Sequence, residues 1–269
     1  ALLHFVDFSP LVFRVTPALP LLLDVPGYGY SVGASRFSPS VYLSDAVIFR
    51  AQAVPLRSYY LATQRYDAWT LSSWSEWNEK GTAVPVYRDE TEDSSTVEPD
   101  VYIRLSLEAE LFDSIPLPVD AVSVQLRGKA PDVSYADTNR GLRFSEAALR
   151  GLEALIGIKH GAGADLSIAF ADVSESFLDP GSDPEGRIKT LADSLGSAAD
   201  PELFIYKLGR YFMENYSYSL DTPAIGRANP LTQFLFEHKT GYCLHFASSA
   251  VLLARHAGIP ARLVEGFVL

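Results

Sequence analysis

The sequence predicts an α+β protein: a β-sandwich-like N-terminal domain over residues 1–183, then a largely helical part over residues 184–269. Three observations point there. Short runs rich in β-branched and aromatic residues, cut by prolines, fill most of the first part. A cluster of breakers follows, Asp179-Pro180-Gly181-Ser182-Asp183-Pro184-Glu185-Gly186. Beyond it the apolar spacing changes from a period of two to the helical 3.6.

Residues 47–54 and 58–64 read as strands on composition. Residues 101–109 alternate, with Val101, Ile103, Leu105 and Leu107 set against Tyr102, Arg104, Ser106 and Glu108. That alternation implies one buried face and one wet face. Residues 122–126 repeat the pattern. Residues 88–100 are acidic and rich in Ser and Thr, and read as a solvated loop. Asp200-Pro201 supplies an N-cap and a proline at the first helical position. Phe204, Leu208, Tyr211 and Phe212 then form one apolar stripe, which Asn215 ends. A second helix is expected over 231–238, a third from Cys243 to Gly258 and Pro260, and a strand over 261–267.

Apolar residues at 48% and charged residues at 20% suit a folded chain of one or two domains. A net charge of −11 leaves no basic surplus to meet phosphates, which excludes nucleic acid as the expected partner. No apolar run is long enough to span a bilayer, and no charged n-region opens a signal peptide. The chain begins at Ala1, and Met213 is its one methionine, so a piece of a longer protein is expected. Neither a glycine-rich phosphate cradle nor a histidine–carboxylate metal motif occurs, so no cofactor and no metal are expected.

Cys243 is the only cysteine, which excludes an intrachain disulfide and a cysteine metal site. Its helix is apolar over most of its circumference: Phe246, Ala250, Leu253 and Ala257 on one face, Ala247, Val251 and Ala254 beside them. Such a helix is buried. Cys243 falls in its first turn, where unpaired N–H groups and the positive dipole end stabilise a thiolate and can serve an oxyanion. Spacing alone leaves two readings open, a nucleophile or a small buried hydrophobe.

The run Phe234-Leu235-Phe236-Glu237-His238-Lys239-Thr240-Gly241-Tyr242-Cys243-Leu244-His245-Phe246-Ala247-Ser248 resembles the core of bacterial transglutaminase-like proteins. So does Leu252-Leu253-Ala254-Arg255-His256-Ala257-Gly258-Ile259-Pro260-Ala261-Arg262-Leu263-Val264-Glu265-Gly266-Phe267. The likeness runs from about residue 186 to the end. Residues 42–50 and 60–70 more weakly resemble the β-rich extracytoplasmic segment that precedes this core in membrane-anchored members. The resemblance implies a papain-like fold, with Cys243 as the catalytic nucleophile of a cysteine acyltransferase or hydrolase acting on protein or peptide amides. It implies a cell-envelope substrate and an extracytoplasmic place in a membrane protein. The family's catalytic His and Asp lie on later strands, so residues 184–269 are expected to form a partial core, inactive alone. Thr232 and Gln233 stand where the family usually has an acid. The alternative is a non-catalytic envelope-binding or scaffold module.

Other residues weigh less. His245 lies roughly 200° around the helix from Cys243, which suits packing or hydrogen bonding rather than base catalysis. His256 sits at the far end of the helix, His238 precedes Cys243 in a connecting segment, and His4 and His160 have no supporting context. Trp69, Trp74 and Trp77 read as strand core rather than a ligand strip. Asp89, Glu90, Glu92 and Asp93 read as a solvated loop, and the sequon at Asn215 carries little weight. The strand at 261–269 is expected to lack sheet neighbours. It should be covered by the N-terminal domain, paired with another molecule, or poorly ordered.

Overall fold

The alternation at residues 101–108 appears as drawn: Val101, Ile103, Leu105 and Leu107 are buried, Tyr102 and Arg104 exposed, Ser106 and Glu108 half-buried. The computed structural model describes residues 3–8, 11–13, 34–36, 49–54, 59–70, 72–76, 83–88, 97–108, 113–118, 120–137, 141–146, 151–159, 175–222 and 229–268. The acidic residues at 89–93, Trp77 and His160 lie outside them.

In chain order the strands are β1 (Leu3–Phe8), β2 (Leu11–Phe13), β3 (Ala34–Arg36), β4 (Phe49–Val54), β5 (Tyr60–Thr70), β6 (Ser73–Glu76), β7 (Val86–Arg88) and β8 (Val101–Leu107). They continue with β9 (Ser114–Ile115), β10 (Ala121–Arg127), β11 (Val133–Asp137), β12 (Gly141–Phe144), β13 (Glu153–Ile158), β14 (Ser217–Tyr218), β15 (Thr240–Gly241) and β16 (Arg262–Val268). The helices are α1 (Arg187–Leu195), α2 (Pro201–Asn215), α3 (Pro230–Gln233) and α4 (Cys243–His256). The protein is therefore mixed α and β with a large strand content. The expected strand at 122–126 lies within β10, but its alternation breaks at a bulge between Ala121 and Ser123, where Ser123 and Val124 are both buried.

The described strands form four sheets. Their orders are β2-β1-β16-β5-β6-β3, β4-β8-β13-β10-β7, β11-β12-β9 and β14-β15. The first draws strands from both sides of residue 183. This corrects the expectation of an open edge at the last strand. Antiparallel β1 and β5 flank β16, so the backbone groups of both its edges find partners within the chain. Of the expected outcomes, cover by the N-terminal strands is the one observed. A bulge between Glu265 and Gly266 leaves Thr63 as the extra residue on β5, and its hydroxyl donates to the Glu265 carbonyl at 3.0 Å. Only glycine fits at 266, because a Cβ there would run into the Leu61 carbonyl.

Two large apolar clusters result. On the strand side, Phe49, Leu61, Ile103, Leu105, Val124 and Ile156 pack with Phe267. On the helix side, Tyr66, Trp69, Trp74 and Leu263 pack under α1, α2 and α4. Each large side chain fully buried in this way contributes about 1.5–3 kcal/mol. The breaker-rich segment is tied to that second cluster. The Asp179 carbonyl accepts from Arg255 at 2.9 Å, and Gly181, at φ 70°, lies against the Trp69 ring. Asp183 then accepts from the Arg187 and Lys189 N–H groups at 3.1 and 2.9 Å and opens α1.

Helix α2 starts as expected: Asp200 accepts from the Leu203 N–H at 3.0 Å, with Pro201 at the first position. Phe204, Leu208 and Phe212 of its stripe are buried. The expected helix at 231–238 differs. Asn229 caps the short α3, and the chain then widens into a π-type turn over Phe234–His238. Lys239, in the left-handed region at φ 52°, closes that turn by donating to the Phe234 carbonyl at 3.0 Å.

Candidate functional site

Thr240 and Gly241 enter α4 in extended conformation, and β14 lies parallel to them. The Ser217 N–H donates to the Lys239 carbonyl and the Ser219 N–H to the Gly241 carbonyl, each at 2.9 Å. This pairing lays the tail of α2 along the approach to Cys243. Tyr218, more than a third exposed, stacks on Phe246 with ring centroids 6.3 Å apart and planes 20° apart. Beneath it Phe212, Tyr216, Phe234 and Phe246 form an aromatic floor of edge-to-face and tilted pairs at 4.9–5.4 Å. The Tyr216 hydroxyl donates to the Leu235 carbonyl at 2.8 Å. Burial, then the Tyr211 hydroxyl, pushes its pKa well above the usual phenol value, so it stays a neutral donor.

Cys243 is the first residue of α4, with Tyr242 at the N-cap. It is 9% exposed and forms no disulfide. Every residue from Cys243 to Arg255 is buried, as the nearly all-round apolar pattern requires. The first turn of a helix turns N–H groups without intrahelical partners toward its N-terminal end. The helix terminus favours negative charge at Cys243, and its burial opposes it.

His245 occupies the third helical position. Its Nδ1 accepts the Tyr242 N–H at 3.3 Å, and its ring meets Tyr242 edge-on at 4.5 Å and Phe234 at 5.3 Å. Burial pushes its pKa down to about 4, so it is neutral at physiological pH. This is the packing and hydrogen-bonding role expected of it. Gly241 makes room: a Cβ there would stand 2.8 Å from His245 Cβ and 2.9 Å from Phe234 Cδ2.

The other histidines are elsewhere. His238 is exposed at the end of the π-type turn. His256 ends α4, about 20 Å along the axis from Cys243. Burial lowers its pKa against the opposing pull of Asp183 and Asp193. His4 stands in β1 opposite Glu265 of β16. Trp69 and Trp74 are buried core residues with ring centroids 5.1 Å apart. Among the described residues no group of three His, Cys, Asp or Glu could hold a metal ion, and no helix is long and apolar enough to cross a membrane.

Two anchors of α4 carry no motif in the sequence. Trp74 Nε1 donates to the buried Ser248 hydroxyl at 2.8 Å. Arg255, buried at the other end, donates to the carbonyls of Ala261 (2.8 Å), Asp179 (2.9 Å) and Asp67 (2.7 Å), with its guanidinium 5.3 Å from the Trp74 ring. The only available signals were a polar residue inside an apolar helix and a cation four residues before Ile259. Neither names its partner.

Residues 189–269 match the transglutaminase-like superfamily. Over 83 residues the chain is 40% identical to a protein-glutamine gamma-glutamyltransferase of Pseudomonas aeruginosa; the match covers 30% of this chain and 12% of that protein. Over 92 residues it is 37% identical to the uncharacterized protein YebA of Bacillus subtilis, covering 33% and 12%. The crystal structure of the periplasmic domain of TgpA from Pseudomonas aeruginosa superposes with a TM-score of 0.60, over 90% of this chain and 81% of that one, at 19% identity. The same domain bound to ethylmercury gives 0.56, over 82% and 75%, at 20% identity. The two structures share the fold of this chain. The C-terminal segment thus matches the transglutaminase-like family, and the match spans about an eighth of the length of each sequence relative.

Proposed function

We propose that Cys243 is the nucleophile of a transglutaminase-like cysteine acyltransferase or hydrolase acting on amide groups of proteins or peptides. The single observation that carries this is its place as first residue of a buried helix, in the segment that matches the family. In the reaction the thiolate attacks the amide carbon and the carbonyl oxygen takes the negative charge beside the first-turn N–H groups of α4. The C–N bond then breaks, the nitrogen takes a proton from solvent water and leaves as ammonia or an amine, and a thioester remains on Sγ. An amine or water attacks the thioester, gives its proton to solvent and restores the thiolate. The name of the Pseudomonas relative favours the side-chain carboxamide of glutamine as acyl donor. Tyr218, stacked beside the approach to Cys243, is placed to flank that side chain.

The TgpA neighbours favour an extracytoplasmic place in a membrane protein, with substrates in the cell envelope. The strand-rich residues 1–183 form, on this reading, a sandwich-like domain preceding the core. A binding or scaffold module is the second reading. The burial of Cys243, 9% exposed, favours it, since a thiol so covered suits a packed core position.

The test is incorporation of a fluorescent primary amine into a glutamine-bearing protein, and release of ammonia, by the full-length protein. Cys243→Ala should lower both by about 1000-fold or more. Retained turnover in that variant would overturn the nucleophile assignment.

A further inference from the structure

Helix α4 opens without the residues that usually open helices. Its N-cap is Tyr242, not Ser, Thr, Asp or Asn. One of the two bonds of a capping box is nonetheless present, made by an unusual residue; the other runs to the Tyr242 backbone instead of its side chain. The Tyr242 N–H donates to His245 Nδ1 at 3.3 Å, and the His245 N–H donates to the Tyr242 carbonyl at 2.9 Å. The third position of such a box is ordinarily Glu or Gln. A glutamate there would put a carboxylate in the turn that carries Cys243, and a like charge so near disfavours a thiolate.

We propose that His245 is a positioning residue that closes the first turn of α4 with a neutral acceptor, holding the Cys243 turn without placing negative charge beside Sγ. This rests on the reading of Cys243 as nucleophile. The seat of the imidazole is built for it. Gly241 leaves the space that a Cβ would fill, Phe234 and Tyr242 flank the ring, and the residue is 4% exposed. An imidazole accepting at Nδ1 carries its proton on Nε2 and is uncharged. The titratable groups of its own turn are Cys243 and Tyr242. Phe234, packed on it from the preceding turn, carries no charge, and Glu237, His238 and Lys239 of that turn are exposed. Burial holds the imidazole pKa near 4, so the acceptor lone pair stays available through the neutral range.

The test is the pH dependence of alkylation by iodoacetamide, which is unambiguous because Cys243 is the only cysteine. His245→Gln keeps an uncharged acceptor and should match the wild type within about twofold. His245→Phe fills the seat without an acceptor and should react about threefold to tenfold more slowly at pH 7. His245→Glu keeps an acceptor at the third position; its buried carboxylate should lower the melting temperature, and in the folded variant the thiol midpoint should rise by about one pH unit, a tenfold loss of thiolate. A purely structural role would leave that midpoint unmoved, and such a result overturns the proposal. So does a Gln variant that behaves like the Phe variant. Should the variants fail to fold, the 15N spectrum of histidine-labelled wild type decides: a proton on Nδ1 of His245 overturns the proposal, a proton on Nε2 supports it. A wild-type midpoint near the ordinary thiol value of about 8.5 overturns the nucleophile reading and this one with it. A depressed wild-type midpoint that Glu does not shift overturns this one alone.

Discussion

Replacing Arg255 by methionine should destabilise the protein by about 3 kcal/mol, and the estimate follows from its partners. Arg255 is 3% exposed and gives three hydrogen bonds to carbonyls on three separate segments: β5 at Asp67, the breaker-rich stretch at Asp179, and the turn into β16 at Ala261. Methionine keeps the apolar stem and removes every donor. At about 2 kcal/mol for each acceptor left without its donor, the loss is about 6 kcal/mol. Against this, burial pulls the guanidinium pKa down to about 10, between two and three units below its ordinary value, with Asp179 and Asp67 pulling the other way. At about 1.4 kcal/mol per pH unit, not burying that charge returns about 3 kcal/mol. Urea unfolding followed by tryptophan fluorescence measures the difference. Arg255→Lys, with one compact ammonium for three divergent carbonyls, should fall between wild type and methionine. A methionine variant within about 0.5 kcal/mol of wild type, or more stable, would refute the view that this cation clamps the end of α4.

Gly241→Ala should cost about 1–3 kcal/mol and slow Cys243 alkylation, since its Cβ would press on the rings of both His245 and Phe234; a melting curve and a labelling time course check this. Trp74→Phe removes the donor to Ser248 Oγ and should cost about 1–3 kcal/mol in denaturant unfolding, with the apolar cluster otherwise kept. His245 makes stability pH-dependent. Its folded pKa of about 4 lies below the unfolded 6.5, so the unfolded chain binds the proton more tightly. Stability is full above pH 6.5 and falls as pH drops from 6.5 toward 4, by up to about 3 kcal/mol. The wild-type curve minus that of His245→Gln isolates this part; a flat difference would contradict it.

Much of α4 is legible in the sequence. A helix apolar on nearly every side can only be buried, and Gly258, at φ 80°, ends it as its position predicts. The strand alternation at 101–108 and the Asp200 cap are equally local and equally readable. What sequence does not reveal is pairing across distance. Nothing in residues 262–268 names β1 and β5 as neighbours, because a strand's edges are backbone groups, identical whatever their partners. The open edge expected there was an inference from chain order, and strands more than 190 residues away supply the bonds. The π-type turn at Phe234–His238 is likewise invisible to a 3.6-residue count, since it depends on one left-handed residue, Lys239. For the site, the position of Cys243 was readable from apolar periodicity and the stop at Gly258 and Pro260. The flank at Tyr218 was not, because it comes from a two-residue strand pairing.

The central claim is that the fold makes Cys243 a thiolate at the mouth of α4. The most direct measurement is the rate of its alkylation by iodoacetamide between pH 5 and 10 on the folded wild-type protein, with the unfolded chain in denaturant as reference. The account predicts a midpoint at least one unit below the reference value of about 8.5. A folded-state midpoint at or above the reference would show that burial outweighs the helix terminus, and would contradict the account.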